Sequence, residues 1–174
     1  KLPKHTTISV FEGFAGYGGA SFGLKRSGVK HKIVGFSEFD NDAVELYQYN
    51  FPEVPNFGDI TKIDEKDPNF PSFDLFTGGF PCQPFSTVGK RQGQEDERGR
   101  GTLFGDIIRI CEYKQPKYIL LENVKGLRTG KMKATFEIML EELKRIGYDV
   151  RHAVLNSKDY GIPQTRERLW IFGY

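Results

Sequence analysis

Short apolar runs rich in β-branched and aromatic residues alternate along the chain with segments whose apolar positions recur every three or four residues. Glycine or proline separates them. The runs at 7–11, 31–37, 73–77, 117–121, 148–155 and 168–172 predict strands. Helical spacing predicts a helix over 20–25 that ends at Gly28, and a second through Ala43, Leu46 and Tyr47 that Asp40 caps and Phe51-Pro52 stops. A third helix runs through Phe104, Ile107, Ile108 and Cys111 behind a Thr102 cap, and a fourth through Phe136, Met139, Leu140, Leu143 and Ile146 as far as Gly147. Strands alternating with helices predict an α/β fold with a mostly parallel central sheet. The link between the last two strands is too short for a parallel crossover of roughly a dozen residues, so an antiparallel strand is expected near the C-terminus.

With 174 residues, no internal repeat and no linker-like tract, 1–174 is read as a single domain. No apolar run reaches membrane-spanning length, and Lys1-Leu2-Pro3-Lys4 does not open a signal peptide, so an intracellular location and no membrane partner are expected. Two distant cysteines form no disulfide framework, and three scattered histidines point to no metal site. The net charge of +2 leaves partners open, because a phosphate-binding face needs local charge.

Candidate chemistry sits where predicted strands end. Gly13, Gly16, Gly18 and Gly19 follow the first strand, as a nucleotide-binding turn requires, although plain loop chemistry fits them equally well. Glu38 follows the second strand about 20 residues further on, where an acid can hold two ribose hydroxyls. A solvated loop carboxylate is its alternative. Asp59, in Gly58-Asp59-Ile60, is either a contact for an adenine amino group or a turn-forming residue. In Gly78-Gly79-Phe80-Pro81-Cys82-Gln83-Pro84, the two prolines fix φ and place Cys82 in a stiff loop at the end of a strand. The polar, glycine-studded stretch 87–101 is either a phosphate-gripping loop or a solvated lid. Glu122 ends another strand, and Arg166 and Arg168 flank the start of the last one. Cys111 reads as a small buried hydrophobe. A thiol, a carboxyl and guanidinium groups beside a nucleotide turn suit nucleophilic attack on an electron-poor ring. Cys82 needs a thiol pKa below the ordinary value of about 8.5 to serve.

Taken in order, these motifs resemble the cytosine-5 DNA methyltransferases over nearly the whole chain. Phe14-Ala15-Gly16-Tyr17-Gly18-Gly19 is similar to the family's cofactor turn, and Gly79-Phe80-Pro81-Cys82-Gln83 to its nucleophile motif. Arg98-Gly99 and Gly101-Thr102-Leu103-Phe104 resemble the segment after the catalytic loop, Glu122-Asn123-Val124 the acid motif, and Gln164-Thr165-Arg166-Glu167-Arg168 the arginine motif. The resemblance implies a Rossmann-like S-adenosylmethionine-dependent methyltransferase fold, with S-adenosylmethionine as methyl donor, S-adenosylhomocysteine as product and double-stranded DNA as partner. It implies that Phe14, Ala15, Gly16, Gly18, Gly19, Glu38, Phe39, Asp59, Ile60 and Pro81 bind the cofactor. On the same resemblance, Cys82 is expected to attack carbon 6 of a flipped-out cytosine, Glu122 to engage its N3, Arg168 to hold its carbonyl oxygen and Arg166 to organise Glu122. Gln83, Ser86, Lys90 and Arg98 are expected to meet DNA.

The sequence departs from the family at Glu12, where Asp is usual, and at Phe39, where Trp is common. Both changes keep the chemistry. The larger departure is that no target-recognition or closing segment follows the arginine motif, so a second polypeptide is expected to carry it, with this chain a split subunit or a fragment. Three other readings stand beside this one. A non-catalytic cofactor-binding subunit keeps the motifs without the reaction. A tRNA cytosine-5 methyltransferase shares them, although Ser86 after Pro84-Phe85 leans toward DNA. A nicotinamide-dependent oxidoreductase fits the glycine turn and Glu38 but explains neither Cys82 nor the arginines.

Overall fold

The computed structural model describes residues 6–81 and 102–174; Cys82, Gln83, Ser86, Lys90 and Arg98 lie outside them. In chain order come β1 (Ile8–Gly13), α1 (Gly19–Ser27), β2 (His31–Ser37), α2 (Asn41–Asn50), β3 (Leu75–Gly79) and α3 (Leu103–Lys114). There follow β4 (Tyr118–Val124), α4 (Lys133–Arg145), β5 (Val150–Asn156) and β6 (Glu167–Gly173). The strands form one sheet in the order β2-β1-β3-β4-β6-β5. The β1–β2, β1–β3 and β3–β4 pairs are parallel, and β6 runs antiparallel to both β4 and β5. This is the mostly parallel α/β sheet with an antiparallel C-terminal strand that the sequence predicts.

The predicted helix signals act as expected. The Asp40 side chain accepts from the Ala43 N–H at 2.9 Å and Thr102 Oγ1 from Gly105 N–H at 3.1 Å, each satisfying one amide that the first helical turn leaves free. Gly147, at φ 106°, closes α4 by donating to Lys144 O while Tyr148 N–H donates to Leu143 O. That closure uses Tyr148 as a cap, so β5 begins at Val150 rather than at 148.

Strand ends differ more. β3 spans Leu75–Gly79 instead of 73–77, and β4 runs on through Glu122 to Val124. The glycines after Thr77 are ladder residues. Gly78 pairs with Gly13 and with Leu121, and a Cβ on it would stand 2.8 Å from the Gly13 carbonyl oxygen. A residue that looks like a strand breaker is here the one that lets two strands approach.

On one face of the sheet, α3 and α4 bury Ile107, Ile110, Cys111, Phe136 and Leu143 against Phe76, Ile119, Leu121, Leu169 and Ile171. On the other, Leu24 of α1 packs on Val10 and Leu75, and Tyr47 of α2 stacks on Phe36 with ring centroids 3.8 Å apart. The β6–β5 end of this second face is open. Trp170 is only half-buried, Ala153 opposite it is exposed, and Phe172 and Leu155 are 38% and 37% exposed.

Candidate active site

The strand order reverses between β1 and β3, since β2 lies to one side of β1 and β3 to the other. Open parallel sheets bind ligands at such a switch, outside the carboxyl ends of the strands. A cavity of about 710 Å³ lies there, lined by the turn after β1, by Gly78 and Gly79 of β3, and by Glu122, Arg166 and Arg168. The cofactor-like turn and the acid–arginine cluster therefore share one space.

The turn is shaped by its backbone. Phe14 adopts φ 52°, rare for a bulky residue, and Gly18 adopts φ 96°, where a Cβ would also crowd Phe51 and Tyr47. A Cβ on Gly16 or Gly19 would meet nothing within 4 Å, so a ligand can lie directly on the turn. Glu38 Oε2 accepts from Gly16 N–H at 2.9 Å, while its Oε1 accepts from the N–H groups of Phe39 and Asp40 at 2.9 and 3.0 Å. Glu38 is thus a fixed carboxylate rather than a solvated one. Three of its roughly four acceptor positions are taken, so a ribose must share them. Phe39 beside it is 75% exposed, leaving its ring face free to stack.

Asp59 caps the short turn Ile60–Lys62, accepting from Thr61 N–H at 3.0 Å and Thr61 Oγ1 at 2.8 Å. The Thr61 amide hydrogen bond, more than any other contact, holds its carboxyl below the usual range. Ile60 is buried. Glu38, Phe39, Asp59 and Ile60 flank the glycine turn outside the lining of the cavity itself.

At the other end, Glu122 on β4 lies opposite Gly79 of β3 and Trp170 of β6. A Cβ on Gly79 would sit 3.1 Å from Glu122 Oε2, so glycine there gives the carboxylate its room. Arg168 Nε is 2.9 Å from Glu122 Oε1, and Arg166 Nη2 is 4.0 Å from the same oxygen. The inner guanidinium is 25% exposed and the outer 51%, so Arg168 is the nearer and drier partner. Both predicted arginines meet the predicted acid.

Two residues whose contacts the sequence did not disclose also shape the site. Buried Asn123 donates from Nδ2 to the Phe80 carbonyl at 3.0 Å, anchoring β4 to the chain just before Pro81 and Cys82. Asn123→Leu is expected to destabilise the protein by about 1–3 kcal/mol, because the buried carbonyl loses its donor. Urea unfolding measures this, and a change below a few tenths of a kcal/mol would count against the anchor.

The second is Glu12, 3% exposed at the end of β1. It accepts from Ala20 N–H at 3.0 Å, from Ser21 N–H at 3.2 Å, from the Ser21 hydroxyl, and from the Tyr47 hydroxyl at 3.2 Å. It seats the N-terminus of α1 and ties α2 to it. Burial pushes its carboxyl above the ordinary 4.5, and its hydrogen bonds only partly offset this. The folded state therefore holds this proton more tightly than the unfolded chain does. That contribution is complete below pH 4.5 and is lost as pH rises through the folded-state value. Glu12→Gln removes the titration, so the variant's stability relative to wild type should improve as pH rises across this window. Unfolding curves at several pH values give the slope, and a flat or opposite one contradicts it.

A switch-point cavity bounded by a glycine turn and an acid–arginine cluster, on a sheet with an antiparallel last strand, defines a Rossmann-like α/β fold. The chain belongs to the C-5 cytosine-specific DNA methylase family, whose model matches residues 8–174. It is 47% identical over 174 residues to the type II methyltransferase M1.ScrFI of Lactococcus lactis subsp. cremoris, covering all of this chain and 42% of that protein. It is 49% identical over 161 residues to M.NgoBI of Neisseria gonorrhoeae, covering 92% of this chain and 49% of that one. Among solved structures, S. pombe Dnmt2 methyltransferase superposes with a TM-score of 0.76 at 25% identity, over 97% of this chain and 49% of that one. A putative DNA modification methyltransferase encoded within an E. coli prophage gives 0.75 at 25% identity, over 95% and 46%. The chain spans less than half the length of these four proteins.

Proposed function

We propose that residues 1–174 form the catalytic, cofactor-binding domain of an enzyme that methylates carbon 5 of cytosine in DNA. The observation that carries this reading is the Glu122–Arg168–Arg166 cluster on the same cavity as the glycine turn. The description of the matching family, a cytosine-specific DNA methylase, favours DNA over RNA.

The residues present fit S-adenosylmethionine. Phe14, Ala15, Gly16, Gly18 and Gly19 form the turn it rests on, Glu38 takes the ribose hydroxyls, Phe39 and Ile60 pack the adenine, and Asp59 accepts from its amino group. Pro81 is the cofactor contact proposed from the nucleophile motif, although it is not among the residues lining the cavity. When bound, S-adenosylmethionine supplies an electrophilic methyl group for carbon 5 and leaves as S-adenosylhomocysteine.

The target base is turned out of the duplex, at roughly a few kcal/mol, because an intact stack hides carbon 6. The Cys82 thiolate forms a bond to carbon 6, and the carbon 5–carbon 6 π pair moves onto carbon 5. Glu122 donates its proton or a hydrogen bond to N3, which draws electron density from the ring and makes carbon 6 attackable. Arg168 stabilises the charge growing on the carbonyl oxygen, and both arginines hold Glu122 in place. Once carbon 5 is methylated, a base such as water takes its proton, the freed pair re-forms the carbon 5–carbon 6 bond and expels the Cys82 thiolate, and N3 returns its proton to Glu122. Gln83, Ser86, Lys90 and Arg98 contact the DNA around the extruded base.

We also propose that a segment beyond residues 1–174, on the same chain or on a second polypeptide, carries target recognition and covers the open end of the sheet at Trp170, Phe172, Ala153 and Leu155. An exposed apolar strip of this kind is what a partner segment buries. DNA containing 5-fluorocytosine tests the chemistry, since fluorine cannot leave as the proton does: the full-length protein with S-adenosylmethionine should form a stable covalent adduct. No adduct with DNA, or one with a transfer RNA alone, overturns the reading.

A further inference from the structure

Glu38 stands one residue beyond the last rung that β2 shares with β1, which is Gly13 opposite Ser37. Its peptide N–H and C=O therefore have no strand partner. The side chain of Asn56 supplies one. Asn56 Oδ1 accepts from Glu38 N–H at 3.2 Å and Asn56 Nδ2 donates to Glu38 O at 3.0 Å, so one amide closes on both backbone groups of one residue as a neighbouring strand would. The same Oδ1 accepts from Gly58 N–H at 2.9 Å. Ser37 Oγ donates to Gly58 O at 2.6 Å, and the backbones of Phe36 and Asn56 form an isolated parallel bridge. Glu38 and the turn bearing Asp59 are thereby locked into one bracket.

We infer that Asn56 is a positioning residue for the adenosine half of the cofactor, holding the Glu38 backbone so that its carboxylate meets the ribose hydroxyls. The inference rests on the reading of Glu38 as the ribose-binding acid. The side chain chemistry is specific: Asp at this position keeps two acceptor bonds, cannot donate to Glu38 O, and sets a second carboxylate beside the first. Alanine forfeits all three bonds.

The test uses the full-length protein, with S-adenosylhomocysteine and its 2′,3′-dideoxyribose analogue as calorimetric ligands. Asn56→Ala should weaken S-adenosylhomocysteine about tenfold, the effect of one or two lost hydrogen bonds. The dideoxy analogue, which does not use Glu38, should change by less than about twofold on the same scale. Asn56→Asp retains the contacts to Gly58 N–H and Glu38 N–H, so it should melt above Asn56→Ala yet show the same ligand-selective loss. With saturating cofactor, kcat should stay at the wild-type value while KM for S-adenosylmethionine rises. Equal weakening of both ligands in Asn56→Asp, or of neither, overturns the role of Asn56. Wild-type protein that binds the two ligands equally overturns the reading of Glu38 beneath it, and the inference falls with it.

Discussion

Glu122→Gln is expected to slow methylation by about a hundredfold or more, the usual contribution of a positioned general acid, while the affinity for S-adenosylhomocysteine stays within about twofold. The amide has the shape of the carboxyl but no acidic proton for N3. It also loses the charge that Arg168 and Arg166 face at 2.9 and 4.0 Å, so the two guanidiniums confront each other without their counter-ion. Because Glu122 is paired into the sheet opposite Gly79 and Trp170, the fold should survive the change. Single-turnover rates with saturating DNA and cofactor separate the effect from binding. A variant that reacts within threefold of wild type, on the same kinetic arithmetic, would remove Glu122 from the mechanism.

Cys82→Ser should reduce methylation by at least about a thousandfold and abolish the adduct with 5-fluorocytosine DNA. A serine hydroxyl in the same loop is far less acidic than a thiol, and nothing else in the proposed site offers a soft nucleophile to carbon 6. The glycine turn follows β1 and is untouched, so S-adenosylhomocysteine should bind the variant normally. Retained adduct formation would mean that another atom attacks the ring, and the variant's methylation rate would then report how much Cys82 matters. Cys111 cannot substitute for it, being fully buried in the core with its thiol pushed up by desolvation.

Much of this arrangement could be read from residue order. Asp40 and Thr102 are caps because a short polar side chain ahead of an apolar period has one place to bond. The link between the last two strands limited them to antiparallel pairing. Glu38, Glu122, Arg166 and Arg168 were visible because titratable groups at strand ends converge on one side of a parallel sheet.

What escaped was set by partners distant in sequence. Gly78 and Gly79 look like a stop until Gly13 and Glu122 are seen across the ladder. Asn56 looks like an ordinary turn residue until Glu38 is placed beside it, and Glu12 gives no hint that Ser21 and Tyr47 will converge on it. The motif resemblance assigned Glu122 to Arg166, whereas Arg168 is the nearer at 2.9 Å against 4.0 Å, because the β4–β6 register, invisible in residue order, sets both distances.

The place of β6 has a consequence for how the molecule is made. β5 leaves the ribosome before β6 but has no bond to β4, and it joins the sheet only when β6 slots between them. Closure of this end of the sheet therefore waits for the last strand to make its non-local pairing with β4. The strand that completes the sheet also delivers Arg168 to Glu122, so nascent chain short of that step has neither a finished sheet nor a finished acid–arginine pair.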